Sequence, residues 1–171
     1  MTNPVWQVTE GTGPLVALAV HDGHDVRPEV ADQKALSALA RWGAKNFPDS
    51  DVYDMGVHGT ADVLAYQNED GGLPTRNWSS GVFEGWEPIS GNVMSDTILK
   101  KRDTCYACAV RCKRVVETEW RGKKVDPHYG GPEYETLATL GSYCGIDDLA
   151  AISYANQLCN MYGMDTISCG A

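Results

Sequence analysis

Apolar positions along the chain fall into short groups separated by glycine and proline, with no internal repeat and no low-complexity segment. Residues 1–14 are irregular, with Pro4, Gly11, Gly13 and Pro14. The run Leu15 to Val20 is continuously apolar and of strand length, so it reads as a buried strand. His21-Asp22-Gly23-His24 follows; with no further ligand nearby it reads as a polar turn rather than a metal pair. Asp32 stands as the N-cap of a helix whose inner face carries Leu36, Leu39, Ala40 and then Trp42 or Gly43. That helix ends near Asn46, before the Pro48-Asp49-Ser50 break. A second helix starts at Thr60, carries Val63, Leu64 and Tyr66, and stops at Gly71-Gly72. Residues 72–81 form a loop by composition, in which Arg76 and Asn77 are solvated or bind an anion.

Ser90 is the cap of a third helix, with Ile89 and Met94 at the two positions of a hydrophobic staple. Ile98 and Leu99 continue its apolar face, so the helix is expected to run to about Lys101. Val115 to Trp120 alternates and pairs with Lys123–Val125 across Arg121-Gly122, a small hairpin. Gly130-Gly131-Pro132 turns the chain into a helix from Glu133 to Leu140, with Glu133, Tyr134 and Glu135 in its first turn. Gly141 to Gly145 interrupts. Asp147 caps the strongest helix, with Leu149, Ile152, Ala155, Asn156, Leu158, Cys159 and Tyr162 along one stripe and Gly163 at its end. Met164 to Ser168 is a loop or the cap of another helix. The predicted fold class is therefore mainly α, with a short N-terminal strand and a small hairpin. An isolated strand at the start and a cap signal just before the end read as parts of a longer chain.

Composition adds limits. The chain has 171 residues and 43% apolar content, enough to bury a core. Its net charge of −9 argues against a general nucleic-acid surface. Nine of its 14 basic residues nevertheless lie between Lys100 and Lys124, a local positive patch suited to an anionic cofactor or an acidic electron carrier; beyond Arg114 a solvated basic loop is the alternative. No signal peptide follows Met1 and no apolar run has membrane-spanning length, so a cytoplasmic location without membrane contact is expected. All six cysteines lie after residue 104, which favours ligands and core residues over an evenly stapled disulfide scaffold.

Three of those cysteines, Cys105, Cys108 and Cys112, have C-x2-C-x3-C spacing, flanked by Lys100, Lys101, Arg102, Arg111, Lys113 and Arg114. Three thiolates on one short loop can cap three corners of a cubane or three positions of a tetrahedral metal. Nearby cations are expected to lower the thiol pKa values and to offset the charge of a metal–thiolate assembly. No second knuckle is present, which favours an iron–sulfur cluster over structural zinc. Either needs a fourth ligand. Cys144, separated from Cys112 by 31 residues, is one candidate within the chain. Molybdopterin-guanine-dinucleotide enzymes have a similar overall spacing, but near the N-terminus.

The residues around the cysteines carry a more specific likeness. In order they are Gly72-Leu-Pro-Thr-Arg-Asn77, Ile89-Ser-Gly91, the cysteine run, Gly131-Pro-Glu-Tyr-Glu-Thr136, Gly145-Ile-Asp-Asp-Leu149 and Asn160-x-x-Gly163-Met-Asp-Thr-Ile-Ser168. This series closely resembles the aldehyde ferredoxin oxidoreductase family of tungsten, sometimes molybdenum, bis-pterin enzymes, over about residues 30–170. The resemblance implies an enzyme that oxidises a small aldehyde to a carboxylic acid at a tungsten or molybdenum bis-pterin centre. Electrons then leave through one [4Fe–4S] cluster to ferredoxin or a similar acceptor. It implies that residues 1–30 are the end of an N-terminal β domain and that 31–171 are a helical cluster- and pterin-binding domain, the family's C-terminal domain being absent. By motif match, Cys105, Cys108 and Cys112 are cluster ligands, with the family's fourth cysteine in that C-terminal domain. Asn160, Gly163, Met164, Asp165 and Thr166 match a pterin-contacting motif. Asn160 replaces the family's leading carboxylate there, so it can accept a hydrogen bond only without charge assistance. Glu135 matches a glutamate near the metal, a candidate for moving a proton; a capping carboxylate at a helix N-terminus is the alternative. Cys144, Cys159 and Cys169 match no family ligand and read as small buried residues. The isolated 171-residue chain is expected to be inactive. Two other readings stay open: an iron–sulfur electron-transfer module working with a separately encoded partner, and a zinc-stabilised interaction domain. A homo-oligomer, or association with separately encoded remaining domains, is compatible with either. Substrate identity and the choice of tungsten or molybdenum do not follow from the sequence.

Overall fold

Residues 38, 41–43, 45–105 and 108–171 are described in the computed structural model. The expected strand 15–20, the His21–His24 turn, the Asp32 cap, Leu36, Leu39 and Ala40, and the proposed β-domain remnant 1–30 lie outside these residues. Residues 41–43, 45 and 46 are helical. Asn46 Nδ2 donates to the Trp42 carbonyl at 2.7 Å, and Pro48 then sits in a 3-10 turn, Phe47–Asp49. Of the two residues offered for the inner face, Gly43 is buried and Trp42 is exposed.

Helix α1, Tyr53–His58, was not expected from the sequence. It has no side-chain cap and buries only Gly56, so it has neither a start signal nor an apolar stripe. Tertiary contacts hold it: Phe47 lies against Tyr53 with ring centroids 5.6 Å apart, and His58 Nδ1 and Ser95 Oγ are 3.2 Å apart. A 3-10 turn, Thr60–Asp62, leads into α2, Val63–Glu69. Leu64 is fully buried, whereas Tyr66 points to solvent. Asn68, also buried, accepts from the Phe83 amide at 2.7 Å and so closes the loop 72–81 against α2.

Helix α3, Gly91–Thr97, starts as expected: Ser90 Oγ accepts from Val93 N at 3.3 Å, and Ile89 and Met94 are both fully buried. It stops four residues earlier than the periodicity implies. Thr97 bonds back to the Val93 carbonyl, and Ile98 leaves helical geometry with φ −120°. From there Leu99–Asp103 is strand β1, antiparallel to β2, Lys113–Val116, with Arg102 opposite Arg114 and Asp103 opposite Lys113. The Ile98 carbonyl already accepts from Glu117 N at 2.9 Å. The backbone groups that another helical turn would use are thus taken by the ladder. The cysteine run therefore joins two strands instead of following a helix.

A second hairpin pairs β3, Thr118–Trp120, with β4, Lys123–Val125. Arg121 and Gly122 both have positive φ, as a two-residue hairpin turn requires. The expected hairpin is present, but Val115 and Val116 belong to β2. Helix α4, Tyr134–Leu140, buries Thr136, Leu137 and Ala138. Helix α5, Leu149–Tyr162, is capped by Asp148, one residue later than expected, with Oδ1 accepting from Ala151 N at 3.0 Å. Gly163 closes it in the left-handed region, φ 65°. Its buried face is partly polar: Leu149, Ile152 and Cys159 lie inside with Ser153, Asn156 and Gln157, while Tyr162 is 71% exposed. The β3–β4 hairpin explains this turn of the face. Gln157 Oε1 accepts from Asp126 N at 2.6 Å, and Trp120 stacks on Tyr154 at 5.7 Å. The short α6, Thr166–Gly170, follows. One apolar cluster joins α2, α3, β2, β4, α4 and α5 through Leu64, Met94, Val116, Val125, Leu137 and Ile152. The fold is mainly α, as expected. Among the described residues no helix is long and apolar enough to cross a membrane.

Candidate metal and pterin site

The cysteine loop hangs from the β1–β2 hairpin and is shaped by its own main chain. Thr104 Oγ1 donates to the carbonyls of Cys105 (2.8 Å) and Cys108 (2.7 Å), and Cys108 N to the Cys105 carbonyl (3.2 Å). Arg111 sits in the left-handed region and its Nη2 donates to the Arg102 carbonyl at 3.2 Å. Cys105, Cys108 and Cys112 are free and half-buried. Burial raises the Cys112 thiol pKa above its ordinary value, and the Glu133 carboxylate and the Cys105 and Cys108 thiols push it the same way. The flanking cations were expected to lower it. Desolvation and the nearby acidic groups set the direction instead, and three of the six cations, Lys100, Lys101 and Arg111, stand in water where their charge is screened.

Among the described residues no three His, Cys, Asp or Glu side chains stand already arrayed around a metal position. In kind, though, the donor set fits an iron–sulfur cluster. The three thiols lie on one short loop whose ends are tied together by the β1–β2 pairing of Asp103 with Lys113. Arg102 Nε, in the strand before the loop, is a buried donor with no hydrogen-bond partner among the described residues. Such a donor suits an anionic acceptor. Cys144 turns elsewhere: its Sγ lies 3.2 Å from the Thr139 carbonyl and 3.6 Å from that of Gly170. Of the three remaining cysteines only Cys159 is buried; Cys144 and Cys169 are exposed, against expectation.

Helix α4 connects the cysteines to the proposed pterin motif. Before its first turn, Glu133 Oε2 accepts from Thr60 Oγ1 at 2.5 Å, and Thr60 Oγ1 accepts from Tyr134 N at 2.9 Å. Glu133 acts on both Cys112 and Arg114. Glu135 is exposed on the first turn of α4. Glu133 is thus the carboxylate that acts on the cysteine loop, a group the sequence reading did not single out, while Glu135, expected near the pterin metal or as a capping group, faces solvent. The sequence places both in one helix start; only the Thr60 hydroxyl, far away in the chain, separates them. Further along α4, Thr136 Oγ1 meets Thr166 Oγ1 at 2.9 Å, and Thr139 Oγ1 donates to the Thr166 carbonyl at 3.1 Å.

The motif residues have clear local roles. Asn160 Nδ2 donates to the carbonyls of Tyr129 (3.3 Å) and Asn156 (3.1 Å), which leaves its Oδ1 to accept. Gly163 lets the chain reverse, and Met164 N returns to the Cys159 carbonyl at 2.8 Å. Met164 is exposed. Asp165 is the N-cap of α6: its Oδ2 accepts from Ser168 Oγ (2.7 Å) and Ser168 N (2.8 Å). Those two bonds hold its carboxyl below the ordinary aspartate value of 3.8. The folded pKa is thus lower than the unfolded one. The cap contributes fully above the ordinary value and is lost as pH falls through the folded value. The Ser168 amide proton, followed by NMR, should show an acid titration step centred below 3.8. The step should vanish in Asp165→Asn; a step centred above 3.8 would contradict the cap.

Residues 38–171 match the family model described as aldehyde ferredoxin oxidoreductase, domains 2 & 3. The chain belongs to the aldehyde ferredoxin oxidoreductase family. It is 36% identical over 162 residues to the tungsten-containing aldehyde ferredoxin oxidoreductase of Thermococcus kodakarensis, and 38% over 162 residues to that of Pyrococcus abyssi. Each alignment covers 94% of this chain and 26% of the relative. A more distant relative is the aliphatic sulfonate oxidoreductase, WOR-like subunit, of Pyrococcus furiosus, 25% identical over 167 residues, covering 95% of this chain and 24% of that one. The chain thus spans about a quarter of the length of the curated relatives it matches.

Proposed function

We propose that this chain supplies three cysteine ligands of a [4Fe–4S] cluster and one wall of a tungsten or molybdenum pterin site. The parent activity is oxidation of an aldehyde to its carboxylic acid with electron delivery to ferredoxin. The observation that carries this is the junction at α4. Its N-terminal carboxylate, Glu133, acts on Cys112, and its Thr136 is hydrogen-bonded to Thr166 of the pterin motif. That one short helix, Tyr134–Leu140, links the cysteine loop to the motif residues supports the reading that the two cofactors are held at a fixed spacing. When bound, the pterin metal supplies the two-electron oxidation and the cluster carries electrons away singly. The chain's own residues hold and orient. Cys105, Cys108 and Cys112 are three ligands, with a fourth from outside this trio. Asn160 Oδ1 and the main chain around Gly163–Thr166 would receive a pterin edge, a reading supported by Asn160 Nδ2 being engaged by the Tyr129 and Asn156 carbonyls. Glu135, exposed on the first turn of α4, is the group available to take or give a proton at the substrate side.

The test is metal and sulfide analysis with EPR on the full polypeptide carrying this sequence, purified without oxygen. About four iron and four sulfide per chain are expected, with a reduced-cluster EPR signal. Cys108→Ser should lose most of both. Stoichiometric zinc with no iron or sulfide would instead identify a zinc-stabilised domain and end this reading.

A further inference from the structure

Among the cations flanking the cysteines, Arg114 differs from the others. It is 2% exposed, although it lies in strand β2 only two residues after Cys112. A buried guanidinium costs several kcal/mol of desolvation unless its donors are satisfied. Here Nε donates to the Cys112 carbonyl (3.2 Å) and Nη2 to those of Arg111 (2.7 Å) and Gly56 (3.1 Å), while Nη1 donates to the Val57 carbonyl (2.5 Å). Two acceptors belong to the cysteine loop. The other two belong to the last turn of α1, where carbonyls carry the negative end of the helix dipole. The chain leaves a path for this side chain: a Cβ on Gly59 would sit 3.0 Å from Arg114 Cγ, Cδ and Nε. The charged groups acting on the guanidinium are Arg102, Glu133 and Cys112. Burial lowers its pKa below the ordinary guanidinium value, yet a guanidinium stays charged at neutral pH.

We propose that Arg114 is the positioning residue of the cysteine loop: it fastens the Cys112 end of the loop to α1 and holds a fixed, water-shielded positive charge against the Cys112 main chain. The inference rests on the cluster reading above and adds to it which cation sets the properties of the centre. A thiolate-bound cluster becomes more negative on reduction. A buried cation stabilises the reduced form more than exposed lysines do, because salt and water screen the latter. Arg114 therefore raises the reduction potential and slows loss of iron.

The experiment compares the anaerobic wild-type polypeptide with Arg114→Lys and Arg114→Gln. It measures thermal unfolding, the rate of iron release to a chelator, and the midpoint potential by EPR-monitored titration. Arg114→Lys keeps the charge but one nitrogen cannot serve both pairs of carbonyls. Its iron should leave about 10–100-fold faster, the usual cost of losing an outer-sphere partner, at a potential near wild type. Arg114→Gln should lose iron as fast and also shift to a more negative potential. Unchanged potential in Arg114→Gln overturns the proposal, as does iron loss that only tracks the fall in melting temperature. A salt series on the wild type needs no variant: a buried charge leaves the potential steady from low to high salt. A marked negative drift would assign control to the exposed cations instead and overturn the role given to Arg114. Absence of iron and sulfide from the wild type would be the failure of the cluster reading itself, and is seen before any variant is made.

Discussion

Ile152→Ala is expected to lower the unfolding free energy by about 2–5 kcal/mol, the usual cost of truncating a fully buried aliphatic side chain. Ile152 is 1% exposed and sits where three elements meet. Its Cδ1 and that of Ile89 each lie 3.0 Å from where a Cβ on Gly141 would be. It therefore fills the space between α5, the staple of α3 and the end of α4. The elements around it are short, so the core cannot collapse into the gap by sliding one long helix. Domains of this size are stable by only about 5–15 kcal/mol in total, so the loss should be visible as a large drop in urea midpoint with an unchanged slope. A midpoint within error of wild type would show that this junction is not a core.

Gly56→Ala is expected to displace the cysteine loop and to cost about 1–3 kcal/mol, the range for overpacking a filled site. Gly56 lies in α1, and a Cβ there would come within 2.1 Å of the Phe47 ring and 2.6 Å of the Val110 carbonyl oxygen. The ring can swing aside. The Val110 carbonyl is main chain, midway between Cys108 and Cys112, and cannot move without moving both. The Gly56 carbonyl is also one of the Arg114 acceptors. Iron retained per chain after anaerobic reconstitution should therefore fall, together with the urea midpoint. Ile152→Ala is the control, since it destabilises without touching the loop and should keep its iron below its unfolding transition. Equal iron retention by wild type and Gly56→Ala would show that the loop does not depend on close contact with α1.

The two variants mark a division between elements that the sequence announces and elements that it does not. Ser90 with its Ile89–Met94 staple, the Arg121-Gly122 turn and the Gly163 helix end are readable because each is decided within about five residues. Helix α1 is silent in the pattern because its support comes from Phe47, Ser95 and Arg114 rather than from a stripe of its own. The end of α3 was misplaced because Ile98 and Leu99 suit a helix face and a strand equally. The ladder from Leu99 to Val116 decides between them. The buried face of α5 is likewise turned by Gln157 and Tyr154, whose partners lie in a hairpin more than 30 residues upstream.

For the candidate site, the residue types and their order are legible in the sequence alone: three thiols at cluster spacing, a cationic neighbourhood, and the Asn160–Thr166 motif on a capped helix end. Covalent spacing and local capping are short-range properties, so a linear chain carries them in full. Which cation is buried and which carboxylate lies beside Cys112 depends on long-range contacts. Arg114 is bonded to a carbonyl 57 residues earlier, and Glu133 to a hydroxyl 73 residues earlier. Desolvation is what separates Arg114 from Lys113, and the Thr60 hydroxyl is what separates Glu133 from Glu135. Desolvation is a property of the packed interior, which exists only once α1, the cysteine loop and α4 have come together.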